Sequence, residues 1–382
     1  MFKGFFELSG WDFLIVMMVL THITIASVTI YLHRAMAHRA LELSPLPAHF
    51  FRFWLWLTTG MNTKEWMAVH RKHHARCETE EDPHSPQTHG LLKVLFSGVW
   101  LYVVATRNQA DMVKFGHGSP DDWVERHIYT PHGRMGLWLL FLIEFSLFGF
   151  VPALALVLIS IIWIPFWAAG VINGIGHFFG YRNFSTSDVS NNILPWGIFI
   201  GGEELHNNHH AYPTSAKLSS RWYELDIGWF YIRCLEVLKL AKVRRVAGKP
   251  GIDNAKQEAD QKTLEVILAH RPEVLAHYAK VWREVWNTER FHLPVGWHFS
   301  KLKKVNPERL SAQQEIHLAQ VLRKSPALAK VHMLRQELDT LWHRSSESSE
   351  ELLQKLKTWC AKAELSGIPA LESFSLRIIR YT

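Results

Sequence analysis

Hydrophobic positions in this chain are concentrated in long runs that alternate with strongly polar stretches. Residues 11–31 are almost wholly apolar and long enough to cross a bilayer as a helix. Polar, His-rich sequence follows them, with no small-residue cleavage site. The pattern therefore predicts a retained membrane helix and not a signal peptide.

The longest apolar region, 135–176, exceeds the length of a single span. It predicts two antiparallel spans over about 136–151 and 153–174, because Gly149 and Pro152 mark a turn between them. With the first span, this gives three crossings.

Shorter apolar segments flank the polar stretches. Residues 46–63, which include Arg52, and residues 91–106 predict two interfacial helices, because their apolar parts are too short for a full crossing. Further along, the run LKLAKVRR, ending at Arg245, predicts a basic helix.

Beyond Gly248, Pro250 and Gly251 the chain changes character. Residues 252–382 are charged, lack a membrane-length apolar run and show helical spacing of apolar positions. We therefore predict an all-α protein, with an integral membrane helical domain over 1–247 and a soluble helical C-terminal region over 252–382. The role of that region is open: it could dock an electron donor, mediate self-association or cover the cytosolic site.

Composition supports a membrane setting. The chain is 48% hydrophobic, with 17 Trp and 22 Phe, and its formal net charge is +7. Aromatic side chains are common at bilayer interfaces, and basic charge suits an anionic membrane surface. No nucleic-acid motif accompanies that charge, so we expect no nucleic-acid partner.

Cys77, Cys234 and Cys360 are far apart and form no CxxC pair, which argues against a disulfide framework or a zinc ribbon.

The 23 histidines include three clusters. They are the HxxxxH pair His33 and His38, and two HxxHH triplets, which comprise His70, His73 and His74, then His206, His209 and His210. The HxxHH spacing places the first imidazole one helical turn from the adjacent pair, so all three can face one centre. Eight imidazoles are too many for one metal ion and suit two, with Fe, Cu, Zn and Ni all compatible with imidazole. Redox chemistry with O2 and metal-assisted hydrolysis both remain open at this point.

The clusters also indicate an orientation. If they build one site, they lie on one side of the membrane, which places the short N-terminus on the other side. Basic residues gather with the histidines, among them Arg34, Arg39, Arg71, Lys72 and Arg76. The positive-inside rule therefore predicts that the site faces the cytoplasm.

These motifs resemble those of the membrane fatty acyl desaturase family. Glu65-Trp66 precedes the second cluster, Asp82-Pro83-His84 follows it, and Asn173-Gly-Ile-Gly-His177 resembles the family's NxxxH. Gly202-Glu-Glu precedes the third cluster, and Pro213 follows it. The resemblance covers about residues 11–245 and is closest to the stearoyl-type delta-9 branch, in its bacterial-like form. It implies an integral protein of the bacterial inner membrane.

The resemblance also implies roles for individual residues. Two Fe2+ ions would be bound by nine histidines: His33, His38, His70, His73, His74, His177, His206, His209 and His210. Asn173 would act through water, and Glu203 and Glu204 would support the ligands from outside. On the first span, Met17 and Thr21 lie about three to four turns from His33 and are candidates for the end of a substrate tunnel, with ordinary helix packing as the alternative.

Two departures from the family pattern bear on the substrate. The chain has room for one span before the first cluster, where acyl-CoA desaturases usually have two. An Arg-Asp pair that contacts CoA in those enzymes is replaced by Ala68 and Val69. The acyl carrier is therefore either CoA or a phospholipid.

The expected reaction is insertion of a cis double bond, with delta-9 as the expected position, using O2. No HPGG-type haem motif is present, so the electrons would come from a separate protein, which could be a ferredoxin, a rubredoxin or a cytochrome b5-like donor. The alternatives are a membrane di-iron hydroxylase and a non-catalytic metal-stabilised membrane scaffold.

Overall fold

The computed structural model describes residues 3–293, 312–343 and 347–382. The chain divides into two compact units. Unit 1 comprises Met1–Asn183 and Asp188–Ala247, and unit 2 comprises Phe184–Ser187 and Gly248–Thr382. The described residues are mostly helical with four short strands, so the predicted all-α class is confirmed in its main feature.

Helix α1 occupies Gly10–Ala37 and begins at a capping box, in which Ser9 and Asp12 satisfy each other's backbone N–H groups. Its second part, Val28–Ala37, is wound as a π-helix, and the backbone N–H of His38 donates to the carbonyl of His33. Because a π-helix bonds residues five apart, this winding places the two histidines of the HxxxxH pair one above the other.

The predicted hairpin forms, but its boundary differs from the prediction. Helix α7 (Gly133–Phe148) is followed by helix α8 (Phe150–Ile175). Gly149 alone makes the turn between them, with φ of 84°. Pro152 lies in the first turn of the following helix, where its missing N–H would have had no helical partner.

Two helices, Gly10–Ala37 and Phe150–Ile175, are long and apolar enough to cross a membrane by length and composition. The helix predicted as a third crossing, α7 (Gly133–Phe148), has 16 residues and falls short of that length. Helix α8 (Phe150–Ile175) is π-wound from Pro165 onward.

The interfacial segments also differ in detail. The first is helix α2, Pro45–Thr59, which stops four residues before the predicted end because Gly60 adopts a left-handed C-cap with φ of 63°. Asn62 then caps helix α3, Thr63–Arg76. The second is helix α5, Leu91–Thr106. The remaining helices of unit 1 are α4 (Pro86–His89), α6 (Gln109–Phe115), α9 (His206–Ala211) and α10 (Ile227–Val237), together with a short π-helix, Glu125–Tyr129.

The basic run near the end of unit 1 is not the helix that its composition predicted. Helix α10 ends at Val237, Lys239 takes a φ of 58°, and Ala241–Val243 forms strand β4. This strand pairs antiparallel with β1, Leu41–Leu43. Strands β2 (Trp196–Gly197) and β3 (Leu225–Asp226) form a short parallel pair. Pairing with a distant segment has overridden the helical propensity of the run.

Helices α5 and α8 meet through glycines. A Cβ added to Gly98 would lie 2.5 Å from the carbonyl oxygen of Ala169, and one added to Gly170 would lie 2.4 Å from that of Leu95. These contacts leave no room for a methyl group, so the two backbones approach closely beside the histidines.

Unit 2 is helical where it is described. Its core includes Leu264, Tyr278, Val331, Trp359 and Phe374, all fully or nearly fully buried. The helices are α11 (Gln261–Ala269), α12 (Arg271–Glu289), α13 (Ala312–Lys324), α14 (Pro326–Asp339), α15 (Ser349–Glu364) and α16 (Pro369–Ile379).

Candidate metal centre

The nine histidines singled out from the sequence converge in unit 1. They come from the end of α1, from α3, from α9 and, in the case of His177, from the second residue after α8. The structure separates them into two groups. Within each group, one ring nitrogen from every histidine lies within 4.8 Å of those of the other members. The five-histidine group comprises His33, His38, His70, His74 and His209, and the four-histidine group comprises His73, His177, His206 and His210.

Ring nitrogens face each other at short distances within each group. In the five-histidine group, the Nε2 atoms of His38 and His70 are 2.8 Å apart, as are those of His74 and His209. In the four-histidine group, the Nε2 atom of His177 lies 2.9 Å from that of His206 and 3.2 Å from that of His73. Buried imidazoles placed this way could share a cation, and an all-imidazole donor set suits Fe, Cu, Zn or Ni.

Carboxylates occupy the outer nitrogens of four of these rings. Glu203 accepts from Nδ1 of His33 at 2.8 Å. Asp82 accepts from Nδ1 of His73 at 3.0 Å, and Asp188 from Nδ1 of His210 at 3.0 Å. Glu78 contacts Nδ1 of His177 at 3.3 Å. A proton on Nδ1 leaves Nε2 free to bind a metal, and it fixes the orientation of the ring.

Three of these carboxylates were not identified from the sequence as site residues. Asp82 was noted only as part of the Asp82-Pro83-His84 motif. Glu78 directly follows the capping residue of α3 and has a φ of 61°, and Asp188 lies in a loop. Their only sequence signal is an acidic residue within a turn near a histidine cluster, which is too common to be selective.

Burial shapes the electrostatics of the site. It holds the pKa values of His38, His70, His74, His206 and His209 well below the usual range of histidine, with neighbouring imidazoles adding to the effect. Neutral imidazole is the form that binds metals, so these rings are ready to act as ligands at neutral pH. Burial alone would raise the pKa of Asp82, but the His73 imidazole and hydrogen bonds from His73 and the Glu78 backbone hold it below its usual range.

Glu203 and Glu204 have different hydrogen-bond partners. The Glu203 carboxylate also accepts from the hydroxyl of Thr29 at 2.6 Å, so it links α1 to the loop before α9. The Glu204 carboxylate accepts from the backbone N–H groups of Ile200 and Gly202, at 2.8 Å and 3.1 Å, and burial raises the pKa of Glu204 to about 7. Glu204 therefore stabilises the loop that contains it, and these bonds do not involve a histidine nitrogen.

Arg34, next to His33, is buried and holds the two ends of the site together. Its guanidinium donates to both carboxylate oxygens of Asp226, at 2.9 Å and 3.2 Å. It also donates to the carbonyls of Gly201 and Ala216, at 3.0 Å and 2.9 Å. Planar, bidentate pairing of this kind suits arginine specifically. The bond network fixes the first histidine cluster against the segments that flank the third.

A cavity of about 500 Å³ opens beside the histidines. Its wall includes His33, His70, His206 and Asn173, together with Trp66, whose ring stacks on His70 with centroids 4.8 Å apart. Most of the remaining wall is apolar, and α5 and α8 supply much of it. A largely apolar cavity beside two candidate metal positions can hold an alkyl chain.

The predicted tunnel positions lie away from this wall. On α1 the cavity is lined by Ile25, Val28 and Thr29, closer to the histidines than Met17 and Thr21. The Thr21 hydroxyl donates to the backbone carbonyl of Met17 at 2.8 Å, which is ordinary helix packing.

Comparison with known proteins identifies the family of this chain. The family model described as fatty acid desaturase matches residues 9–233, more than half of the chain. The chain therefore belongs to the fatty acid desaturase family, and the family inferred from the histidine clusters is confirmed.

Individual relatives agree. A delta-9 desaturase-like 5 protein of Arabidopsis thaliana is 30% identical over 244 residues, which cover 60% of this chain and 76% of the relative. The delta-9 acyl-lipid desaturase 1 of the same plant is 27% identical, with 60% and 74% covered. An sn-1 stearoyl-lipid 9-desaturase of Anabaena variabilis is also 27% identical, with 58% and 79% covered.

The C-terminal region gives a different match. A second family model, described as transposase, matches residues 254–382, which is about a third of the chain. The match coincides with most of unit 2, for which the sequence showed no assignable motif.

Proposed function

We propose that this protein is an O2-dependent acyl-lipid desaturase that introduces a cis double bond, at the delta-9 position, into a saturated chain esterified in a membrane lipid. The observation that carries the proposal is the pair of histidine groups, each with inward-facing Nε2 atoms, at the wall of an apolar cavity. The relatives named as acyl-lipid and stearoyl-lipid desaturases support the lipid carrier and the position. Ala68 and Val69, in place of a CoA-binding Arg-Asp pair, support the same carrier.

The residues fit a pair of iron ions. His33, His38, His70, His74 and His209 would hold one ion, and His73, His177, His206 and His210 the other. Asn173, on the cavity wall, would act through water. Bound there, iron would supply O2 activation and the removal of hydrogen from an unactivated methylene.

The overall reaction balances with an external donor. One –CH2–CH2– unit, O2, two electrons and two protons give one –CH=CH– unit and two waters. The two electrons would come from a separate donor protein. The chain itself would bind the alkyl chain, exclude water through its apolar walls and fix which methylene pair lies beside the histidines.

The setting belongs to the same proposal. Helices Gly10–Ala37 and Phe150–Ile175 would span the bilayer, α7 would complete the third crossing together with its flanking residues, and α2 and α5 would lie at the interface. The histidines would face the cytoplasm at the inner membrane of a bacterium. The region 252–382 would form a soluble helical extension.

The test is expression in a bacterium that lacks desaturases, with a His73→Ala, His209→Ala variant as the inactive control. Fatty acids are separated by lipid class and their double bonds are located by mass spectrometry. A new monounsaturated acid that appears first in the lipid fraction during an isotope chase supports the proposal. Its first appearance in the thioester pool would assign CoA as the carrier, and a hydroxy acid without a double bond would assign hydroxylation.

A further inference from the structure

Tyr102 places a buried hydroxyl without a partner at the wall of the cavity. The residue lies on α5, where Val99, Tyr102, Val103 and Thr106 all line the cavity. Spacings of three, four and seven residues place these side chains on one face of the helix. The Tyr102 hydroxyl oxygen is inaccessible to solvent and has no hydrogen-bond partner among the described residues.

Among the described residues, none is hydrogen-bonded to the Tyr102 hydroxyl, although the Glu65 carboxylate is near enough to influence it. The Tyr102 ring packs against Ala68, Val69 and Met112, just before the second histidine cluster begins at His70. Burial is the main reason that the pKa of Tyr102 is raised, with the charge of Glu65 adding to it, so the hydroxyl stays protonated and is available as a donor. Buried polar groups are nearly always hydrogen-bonded, which points to an occupant of the cavity as the missing acceptor.

The wall of the cavity includes polar side chains besides Tyr102 and the histidines. One turn beyond Tyr102 on α5 is Thr106, and Asn62 and Arg134 also line the cavity. Among the described residues, Arg134 is the only lysine or arginine in the wall, and it is exposed. These side chains suit the polar part of a lipid.

The wall also includes aliphatic side chains, among them Ile25, Ile161 and Ile164. These side chains suit an alkyl chain. A saturated acyl chain carries only one strong acceptor inside such a channel, and this is the carbonyl oxygen of its ester.

We propose that Tyr102 donates its O–H to the ester carbonyl of the substrate and so fixes the number of methylenes between that carbonyl and the histidines. The double bond would then be placed by counting from the carboxyl end. This inference rests on the proposed function and adds to it a residue that sets the position of the double bond.

The test compares Tyr102→Phe with Tyr31→Phe in the full-length protein. Tyr31 is the control, because it is also buried but lies outside the cavity wall. Each protein receives saturated lipids with 16, 18 and 20 carbons, and the product double bonds are located. Wild type and Tyr31→Phe should keep one distance from the carboxyl carbon for all lengths. Tyr102→Phe should spread the double bond over neighbouring positions and raise KM about three- to tenfold, the effect of losing one hydrogen bond.

A second arm needs no variant. An ether lipid with an alkyl chain in place of the acyl chain lacks the carbonyl, so wild type should treat it as Tyr102→Phe treats the ester. Tyr102→Phe should lose nothing further on the ether lipid.

The outcomes separate the two proposals. No double bond from wild type on any lipid would refute the desaturase function itself. Unchanged position and KM in an iron-loaded Tyr102→Phe, or equal handling of ester and ether lipids by wild type, would show that water satisfies the hydroxyl, and this inference would be wrong.

Discussion

Asp82 is expected to control metal binding in the four-histidine group and not in the other. Its buried carboxylate accepts from Nδ1 of His73 and also from the backbone N–H groups of Glu78 and His84, at 2.6 Å and 3.1 Å. In Asp82→Asn, one carboxylate oxygen becomes an NH2 group that faces a donor. His73 then loses the acceptor that holds its proton on Nδ1, and its Nε2 lone pair is no longer reserved for a metal.

The magnitude follows from the number of bonds lost. Removal of one such acceptor typically weakens metal affinity 10- to 100-fold, which is about 1.4–2.7 kcal/mol. We expect Asp82→Asn to retain about one iron per chain after mild chelation, where wild type retains two, because the five-histidine group keeps Glu203. The measurement is anaerobic Fe2+ binding in competition with a chelator, followed by iron analysis. Glu203→Gln should give the reciprocal loss, from the five-histidine group.

Glu81→Gln is the matched control. Glu81 neighbours Asp82 but is exposed and pairs with Arg76, so its loss should leave both irons in place. Iron content that is unchanged in Asp82→Asn, or a loss of both ions together, would refute the division of labour between the carboxylates.

Other predictions address the rest of the chain. Arg34→Met should destabilise unit 1 by about 3–5 kcal/mol, because it leaves the buried carboxylate unpaired, and detergent thermal unfolding should show this even before metal is added. Gly170→Ala should cost about 1–3 kcal/mol through overpacking against α5, whereas a Cβ at Gly174 would meet its neighbours at 3.5 Å and Gly174→Ala should unfold at an almost unchanged temperature. Burial lowers the pKa of His332, so the folded state disfavours its protonation and unit 2 should lose stability as pH falls below about 6.5. Hydrogen exchange of residues 326–339 in the full chain at pH 7.5 and 5.5 measures that loss, and it should shrink in His332→Gln; an exchange rate equally pH-dependent in both would contradict this reasoning.

The positions of the apolar helices and the convergence of the histidines were within reach of the sequence. Long apolar runs in a membrane must satisfy their backbone groups as helices, so α8 was predicted to within three residues at each end, whereas α1 extends six residues beyond its predicted end at 31. HxxHH spacing on one helical face made His70, His73 and His74 candidates, although the division into two groups was not foreseeable. On α3 the adjacent rings of His73 and His74 belong to different groups, because successive helical residues point about 100° apart.

Features that depend on a distant partner were out of reach. The LKLAKVRR run has helical composition, yet its last part pairs with Leu41–Leu43, some 200 residues earlier. The two predicted spans met three residues late, at 151 and 153, because Pro152 signals a break only when it lies beyond the first helical turn. The hairpin was therefore correct in kind and wrong in its boundary, whereas the basic run was wrong in kind because a tertiary contact made it a strand.

The same reasoning explains why the histidine motifs alone underdescribe the site. Four of the nine rings are oriented by carboxylates, and these come from four separate places in the chain: Glu78, Asp82, Asp188 and Glu203. Arg34 carries this further, since it lies within the HxxxxH motif and yet contacts no ligand ring through its hydrogen bonds. Its hydrogen bonds connect the first histidine cluster to the segments on either side of the third cluster. The spacing of histidines therefore specifies what can bind a metal, while buried charges from elsewhere in the chain specify whether the rings stay aimed at it.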